Sequence, residues 1–176
     1  MARRTLRALD ARIIKKTIAM GAKEGIAGVS TKEMAIALGI TEPTIYVHFK
    51  TKDNLLESAY KDCMEEIKNV ENAFVNEYLE SSKTEDDLRK LLLSLIKVEG
   101  VSDEKISYIS NYEKEKEDDA TNDDYEFYAS FFRKIDAPEE NLKAFFYVLK
   151  SLRVNASKDK KDLPIDAYKA LSIYLK

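Results

Sequence analysis

The chain has 176 residues, of which 44% are hydrophobic and 35% charged, with one cysteine and a net charge of −3. The lone Cys63 has no internal disulfide partner, so we expect a reducing compartment, the cytoplasm, and not a disulfide-rich secreted fold. No apolar run approaches the length of a membrane span, so no membrane partner is expected. Five glycines and three prolines are few, which favours an all-α fold with about nine helices.

The charge is divided unevenly along the chain. Residues 1–52 carry ten basic and four acidic side chains, a charge of +6, whereas the remainder carries 19 basic and 28 acidic ones, a charge of −9. A basic N-terminal part on an acidic body is typical of a protein that binds nucleic acid at one end. The first predicted helix covers residues 6–23. Arg3, Arg4 and Arg7 are expected to form a mobile arm along a nucleic-acid backbone or minor groove.

Residues 29–52 have the pattern of a helix-turn-helix followed by the start of another helix. Ser30 and Glu33 fit a capping box at the start of the second predicted helix. Gly39 follows that helix, at the position where a left-handed residue commonly ends one. Thr41 then caps a third helix, with Pro43 in its first turn, where a missing N–H costs nothing.

The third predicted helix has one inward and one outward face. Ile45 and Phe49, four residues apart, are expected to face the core. The side chains expected to point outward are Thr44, Tyr46, Val47 and His48. Polar and aromatic groups on the exposed face of a short capped helix favour recognition of a partner. Two short helices joined at a glycine also occur in helical proteins that bind no DNA, so the pattern alone does not decide.

Residues 8–60 resemble the DNA-binding domain of the TetR family of transcriptional regulators. The family's hallmark is a tyrosine two residues before His-Phe and a lysine three residues after that phenylalanine. Here these residues are Tyr46, His48, Phe49 and Lys52. The other matching positions lie in the first, second and fourth helices: Ile13, Ile14, Ile18, Ala19, Ala22, Gly25, Ser30, Thr31, Glu33, Met34, Ala35, Leu55 and Leu56. The rest of the chain matches only in being helical.

The resemblance implies a helix-turn-helix DNA-binding domain at residues 1–52 and a helical ligand-binding and dimerisation domain at residues 53–176. It implies a homodimer, more often a repressor, that binds a palindromic double-stranded DNA operator, is released by a small-molecule effector and needs no cofactor. Glu42 departs from the commonest family pattern, because a small or neutral polar residue is usual there. A carboxylate at that position repels phosphate but can accept a hydrogen bond from cytosine N4.

The resemblance and the predicted exposure together assign one set of residues to DNA: Thr31, Lys32, Glu42, Pro43, Thr44, Tyr46, His48 and Lys52. Pro43 and Thr44 offer apolar contact to thymine methyl groups, and Thr44 also offers a hydrogen bond. Tyr46, His48 and Lys52 are placed for phosphate contacts, and Lys52 gains from the helix N-terminus beside it.

The fourth predicted helix is long and extends to about residue 80, so it can join the DNA-binding end to the body as one rigid element. Thr84 caps a fifth helix that is expected to end at Gly100, and Ser102 caps a sixth. Residues 113–124 are rich in acids but lack the spacing and central glycine of a calcium loop. They predict a solvated helix end and loop, and we expect no metal site.

Pro138 starts an eighth predicted helix, residues 157–162 form a loop, and Pro164 starts the last helix. Both helices carry apolar stripes at helical spacing. In the TetR family the last two helices pair with their copies in a four-helix dimer interface. The residues assigned to that interface are Leu142, Phe145, Phe146, Leu149, Leu152, Ile165, Tyr168, Leu171 and Leu175. The alternative is that the stripes only close the core of one chain, which leaves their apolar flanks, such as Tyr147 and Ile173, unexplained.

The resemblance also implies a ligand cavity inside the body, among the fourth to eighth helices. The aromatic or soft residues available to line it are Tyr60, Met64, Tyr108, Tyr112, Tyr128 and Phe131. Any one of these is more often a plain core residue than a ligand contact. Ten tyrosines and seven phenylalanines without tryptophan favour a small, mainly apolar or aromatic effector.

The residues also bear on two other classes of function. An enzyme is not expected, because the one histidine lies in the recognition helix and Cys63 lies on an apolar helix face. The sequence also has no Gly-rich phosphate loop or metal-spaced cluster. The other class is a TetR-like helical module that acts through a protein partner, as a co-regulator with weak or no operator recognition. Glu42 favours this class, and the combination of Tyr46, His48 and Lys52 argues against it.

Overall fold

The computed structural model describes residues 2–116, 122–159 and 167–175 of the chain. Within these residues all regular structure is helical, as the composition predicts. The α-helices in chain order are α1 Ala2–Glu24, α2 Thr31–Leu38, α3 Glu42–Phe49, α4 Lys52–Glu80, α5 Glu85–Lys97, α6 Asp103–Lys116, α7 Asn122–Lys134, α8 Leu142–Asp159 and α9 Ala167–Ser172. Among the helices so described, none combines the length and apolar character that crossing a membrane would require.

The predicted helix-turn-helix is present, and local capping explains its geometry. The hydroxyl of Ser30 accepts a hydrogen bond from the backbone N–H of Glu33 at 3.3 Å, which is one half of the predicted capping box. Gly39 ends α2 with a left-handed φ of 68°. Thr41 takes the N-cap position of α3, but its hydroxyl bonds to the Thr44 hydroxyl at 2.8 Å and does not cap the backbone.

The first helix is longer than predicted, because α1 begins at Ala2. The backbone of Arg3, Arg4 and Arg7 is therefore helical, which corrects the expected mobile arm. Composition explains the difference. Apart from Thr5, residues 2–9 are all Ala, Arg or Leu, which are strong helix formers.

The start of α5 is as predicted, but its end is not. Thr84 and Asp87 form a full capping box, and the hydrogen bonds from Thr84 hold the pKa of the Asp87 carboxyl below its ordinary value. The helix ends at Lys97 because Val98 takes a left-handed φ of 47°, so Gly100 lies beyond its end. The N-terminal cap was predictable because side chains form it. The C-terminal end is set by a left-handed backbone conformation at Val98, and valine seldom adopts that conformation.

The eighth helix also differs from its predicted bounds. Pro138 is followed by a 3-10 turn, Glu139–Asn141, and α8 begins only after that turn. The helix then runs to Asp159, into the segment predicted to be a loop. Pro164, the predicted start of the last helix, lies outside the described residues.

The chain forms two compact units. Among the described residues, unit 1 contains residues 2–65 and 102–116, and unit 2 contains residues 66–101, 122–159 and 167–175. Helix α6 therefore belongs with the helix-turn-helix in unit 1, although it follows α5 in the chain. The predicted boundary after residue 52 separates two domains by function, and the two compact units do not test that division. The boundary stays a prediction.

Close packing of α1 against α6 accounts for this arrangement of unit 1. A Cβ atom on Gly21 would lie 2.5 Å from the Tyr108 ring, so only glycine permits this approach. The Tyr108 hydroxyl donates to the Leu56 carbonyl at 2.9 Å, and the Asn111 amide donates to the Gly21 carbonyl at 2.9 Å. Together these contacts fix α6 on α1 and on the first part of α4.

The core of unit 2 contains the apolar stripes that were assigned to a dimer interface. The predicted interface residues buried in this core are Leu142, Phe145, Phe146, Leu149 and Leu171. Those packed against it are Leu152, Tyr168 and Leu175. Ile165 lies outside the described residues. The buried side chains serve the core of one chain, and among the described residues of these stripes the large apolar groups left exposed are the flanks Tyr147, at 42%, and Ile173, at 61%.

Unit 2 also buries an ion pair that the sequence reasoning missed. Arg153 of α8 donates to the Glu71 carboxylate and to the Leu95 carbonyl, the latter at 2.8 Å. The Tyr128 hydroxyl donates to the Glu71 carboxylate at 2.5 Å and accepts from Arg153 at 3.0 Å. Arg153 lies four residues after Leu149 on the buried stripe, and a charged residue at such a position is the signal that could have revealed it.

Candidate nucleic-acid interface

Helix α3 is anchored on one face and free on the other. Ile45 and Phe49 are buried, as predicted from their spacing. Pro43 and Val47 are exposed and Thr44 is half-buried. These three residues follow one another at i, i+1 and i+4, so they share one face of the helix. Of the four residues predicted to point outward, Tyr46 and Val47 are exposed, whereas Thr44 and His48 are half-buried.

A hydrogen-bonded chain of three side chains joins α2 to α3. The Thr31 hydroxyl donates to the Glu42 carboxylate at 2.5 Å. The Thr31 and Tyr46 hydroxyl oxygens lie 3.2 Å apart. Thr31 is only 7% exposed, whereas Tyr46 is 37% exposed, so the chain runs from the surface into the gap between the helices. Three predicted DNA contacts are thus brought together, with Glu42 in the role of an internal acceptor.

His48 is tied to α1. Its Nδ1 forms a hydrogen bond to the Asp10 carboxylate, and only 9% of its side chain is exposed. Because a carboxylate only accepts, Nδ1 carries the proton, which leaves Nε2 for any other partner. Phosphate also only accepts, so a phosphate contact from Nε2 requires a second proton on the ring. The prediction that His48 points outward therefore holds for one nitrogen at most.

The predicted lysines lie at the edges of the exposed surface. Lys32 is exposed on α2. Lys52 opens α4, and its ammonium donates to the Ala27 carbonyl at 3.5 Å, a long and readily exchanged contact. The Thr51 hydroxyl caps α4 by accepting from the Asn54 backbone N–H at 3.0 Å. Lys52 therefore stands beside a helix N-terminus, where backbone N–H groups favour an anion.

Three residues of α1, α2 and α3 had no contact predicted from the sequence. Val47 was expected to point outward but was given no contact, and it is 69% exposed beside Thr44. Ile36 of α2 is 73% exposed. Asp10, the partner of His48, lies 38 residues away in the chain. Spacing from Thr44 could have found Val47, but no sequence pattern links Asp10 to His48.

The residues assigned to an effector divide between the two units. In unit 1, the Tyr60 and Tyr112 rings stack with centroids 4.5 Å apart, and Tyr108 is fully buried. Met64 of the same unit is half-buried. In unit 2, Tyr128 and Phe131 are buried in the core. Each buried member fills core space, and whether any of them contacts an effector stays a prediction.

Two clefts can be described within unit 2, and neither is lined by those residues. One, of about 540 Å³, lies between α5 and α9 and is lined by residues that include Arg89, Tyr168 and Ile173. A smaller one, of about 90 Å³, lies between α4 and α5 near Tyr78 and Asp87. The described residues hold no group of three or more His, Cys, Asp or Glu side chains arranged to bind a metal ion.

Comparison with known sequences finds relatives of the helix-turn-helix region. Residues 13–59 match the family model of bacterial regulatory proteins of the tetR family. YerO of Bacillus subtilis, an HTH-type transcriptional regulator described as uncharacterized, is 41% identical over 64 residues. That alignment covers 34% of this chain and 22% of YerO. The resemblance found in the sequence is confirmed for the N-terminal part, and the relative is matched over only a small share of its length.

Comparison with solved structures covers nearly the whole chain. A Mesorhizobium loti protein assigned to the TetR regulators has a TM-score of 0.70 at 18% identity, over 97% of this chain and 94% of its own. A regulator from Saccharomonospora viridis, solved with choline, has a TM-score of 0.65 at 17% identity, over 96% and 95%. NalD of Pseudomonas aeruginosa, the secondary repressor of the MexAB-OprM multidrug efflux pump, has a TM-score of 0.52 at 15% identity, over 96% and 95%. At such identities the likeness shows the fold.

Proposed function

We propose, on the premise that residues 13–59 form a TetR-family DNA-binding domain, that this chain is a transcriptional regulator that binds a DNA operator through α2 and α3. The exposed face of α3 carries the proposal. Pro43, Thr44 and Val47 lie together on it, while Ile45 and Phe49 hold the opposite face in the core. A short helix fixed in this way presents a rigid edge to the major groove.

In this proposal the contacts fall into two classes. Pro43, Thr44 and Val47 meet base edges, with apolar contact to thymine methyl groups. Lys32 and Lys52 meet phosphate, and they fix the register of the protein without reading sequence. Thr31, Tyr46 and His48 contribute to phosphate binding once they give up the internal partners described above.

The assembly and its control are further parts of the proposal. We infer a homodimer that binds a palindromic operator and acts in the cytoplasm as a repressor released by a small, mainly apolar effector. Residues 1–52 would bind DNA, and residues 53–176 would bind the effector and form the dimer. The support comes by analogy, since NalD is a repressor and the Saccharomonospora viridis regulator was solved with choline.

The co-regulator alternative is supported less than operator binding. It depended on Glu42 as a carboxylate that repels DNA, and the bond from Thr31 gives that carboxylate a role within the DNA-binding surface. An enzymatic function is not proposed, because the family consists of transcriptional regulators.

Selection of bound sequences from a random pool of duplex DNA tests the proposal. The expected product is an imperfect palindrome with half-sites about one helical turn apart. A parallel selection with Val47→Ala should relax the preference at one position of each half-site and leave the spacing unchanged. Absence of enrichment by the wild-type chain, even at low salt, would reject the proposed function.

A further inference from the structure

Glu42 carries a negative charge at the start of the helix proposed to bind DNA, where it opposes binding to phosphate. Its hydrogen bonds suggest what this charge does. We propose that Glu42 competes with DNA phosphate for the hydroxyl protons of Thr31 and Tyr46, and so disfavours DNA that offers its carboxylate no hydrogen-bond donor. The inference rests on the proposed function and deepens it. It makes Glu42 a residue that determines specificity through its neighbours, in place of the phosphate-repelling or simple cytosine-contacting residue predicted from the sequence.

The geometry places three oxygen groups in one chain. Thr31 opens α2, and its hydroxyl donates to the Glu42 carboxylate at 2.5 Å. The Tyr46 hydroxyl, one turn along α3, lies 3.2 Å from the Thr31 oxygen. Thr31 is 7% exposed and Glu42 is half-buried, so water cannot readily replace these partners.

Counting protons fixes the direction of the chain. A carboxylate has only acceptor oxygens, and a hydroxyl has one proton to donate. Thr31 gives its proton to Glu42, so it has none left for Tyr46. Tyr46 must therefore donate to Thr31, and both hydroxyl protons point towards Glu42.

DNA phosphate needs the same protons. Phosphate oxygens accept hydrogen bonds and donate none, so they cannot bind Thr31 or Tyr46 while both protons point inward. A phosphate contact from Thr31 must therefore leave the Glu42 carboxylate without its donor, whereas a contact from Tyr46 breaks the bond from Tyr46 to Thr31. A base amino group, cytosine N4 or adenine N6, can restore a donor to Glu42 at the right site. Random DNA seldom offers one there, so Glu42 lowers random binding more than specific binding.

A double-mutant cycle measures this competition. The variants are Glu42→Ala, Tyr46→Phe and the double variant, and the measurement is affinity for a random-sequence duplex and for the selected operator at one salt concentration. Glu42→Ala is expected to raise random-duplex affinity about tenfold, since a hydrogen bond to a charged group is at stake. Its effect on the operator should be smaller, so discrimination falls. Tyr46→Phe should cost more in the Glu42→Ala background than in the wild type, because the phenol proton is then free for phosphate.

Two variants separate the effect of the Glu42 charge from the effect of the hydrogen-bonded chain. Glu33→Ala removes an exposed carboxylate from the first turn of α2 but no member of the hydrogen-bonded chain. Thr31→Val cuts the chain at its centre without changing charge, and it too should raise the cost of Tyr46→Phe. Thermal unfolding checks that each variant folds. If Glu42→Ala does not fold, the comparison of Tyr46→Phe in the wild type and in Thr31→Val provides the test.

The outcomes are distinct. Wild-type binding, with a Tyr46→Phe cost that is larger in the Glu42→Ala background and a Glu33→Ala gain smaller than that of Glu42→Ala, supports the inference. Wild-type binding with equal Tyr46→Phe costs in all backgrounds, or a Glu33→Ala gain as large as that of Glu42→Ala, overturns it and leaves the proposed function standing. No binding of any duplex by the wild type overturns both.

Discussion

The side chains that face DNA in this proposal differ in how many of their hydrogen bonds are already used inside the chain. Thr31 and Tyr46 are bonded along one path, and His48 is bonded to Asp10. Pro43 and Val47 have no side-chain hydrogen bond to give up. Apolar base contacts by these two can therefore form without breaking anything, whereas hydroxyl and imidazole contacts must exchange one partner for another.

Base and phosphate contacts should separate on mutation. Thr44→Ala is expected to cost roughly 1–3 kcal/mol on the selected operator and little on a random duplex, because only base contacts carry sequence information. Lys52→Ala should weaken both complexes alike and reduce the dependence of affinity on salt. Fluorescence anisotropy at several salt concentrations gives both quantities. Equal losses on the two DNAs for Thr44→Ala would exclude it from the base contacts.

The residues of the helix-turn-helix show what local pattern can and cannot predict. The inward faces of Ile45 and Phe49, and the left-handed turn at Gly39, follow from spacing and residue type, and the structure has them. The Asp10–His48 bond joins residues that only tertiary packing brings together. No periodicity encodes such a pair, so this part of the site could not be predicted.

Among the helices, α6 is held in unit 1 by a tyrosine that was assigned to an effector. Burial, and then the nearby Cys63 and Tyr112, raise the pKa of Tyr108 well above its ordinary value of 10.0. In the unfolded chain this phenol ionises near pH 10, while in the folded chain it stays protonated. The stability due to this difference is complete below pH 10 and is lost as the pH rises from there towards the folded-state pKa.

Alkaline unfolding should therefore report on Tyr108. The free energy of unfolding is expected to fall above pH 10 by at most about 1.4 kcal/mol per pH unit from this group. Tyr108→Phe should remove that part of the slope, although at neutral pH it costs about 1 kcal/mol for the lost hydrogen bond to Leu56. Urea unfolding at pH 8 to 11 measures both. An unchanged slope for Tyr108→Phe would contradict the argument.

The buried pair of α4 and α8 should behave differently when one or both partners are removed. Burial opposes the charge on Arg153, but Glu71 and then Tyr128 raise its pKa above the ordinary value, so the guanidinium stays charged. Arg153→Ala leaves a buried carboxylate without its cation and is expected to cost roughly 3–5 kcal/mol. Glu71→Leu combined with Arg153→Met should cost much less, because no charge remains buried.

Chemical denaturation of these variants gives the comparison. Arg133→Ala is the matched control, since its ion pair with Glu139 is exposed and should be worth no more than about 1 kcal/mol. A double variant as unstable as Arg153→Ala would mean that packing around Arg153, and not unpaired charge, accounts for the loss.

Helix identity was easier to predict than helix ends or the use of each face. The helix-turn-helix and the Thr84 cap follow from side-chain chemistry, and the structure has them. The stop at Val98 and the helical start of α1 depend on backbone choices that residue type only biases. The stripes of α8 and α9 were apolar enough for either a core or an interface. Sequence could not show which, because both uses require the same spacing.

For the whole molecule, this ambiguity changes how the proposed dimer must be tested. Leu149 lies on the predicted interface stripe but is fully buried in the core of unit 2. A charge at that position would be buried without a partner, so Leu149→Glu is expected to unfold the chain. Loss of a dimer in that variant would therefore say nothing about an interface.

The exposed flanks offer a test that leaves the core intact. Tyr147 of α8 and Ile173, just after α9, are exposed and apolar, and a second copy of the chain could cover them if α8 and α9 pair as proposed. Ile173→Glu and Tyr147→Glu should each shift the assembly to monomers, and both should keep the helical circular-dichroism signal of the wild type. A two-fold dimer binds both half-sites of a palindrome, so monomers should lose most operator affinity and retain weak binding to one half-site.

Multi-angle light scattering gives the mass of the assembly, and a duplex with a single half-site gives the residual affinity. Leu149→Glu is the contrast, with an expected loss of helical signal by circular dichroism. Dimers that persist in both flank variants would place the interface elsewhere on the chain, and a wild-type chain that is monomeric while it binds a palindrome would reject the dimer.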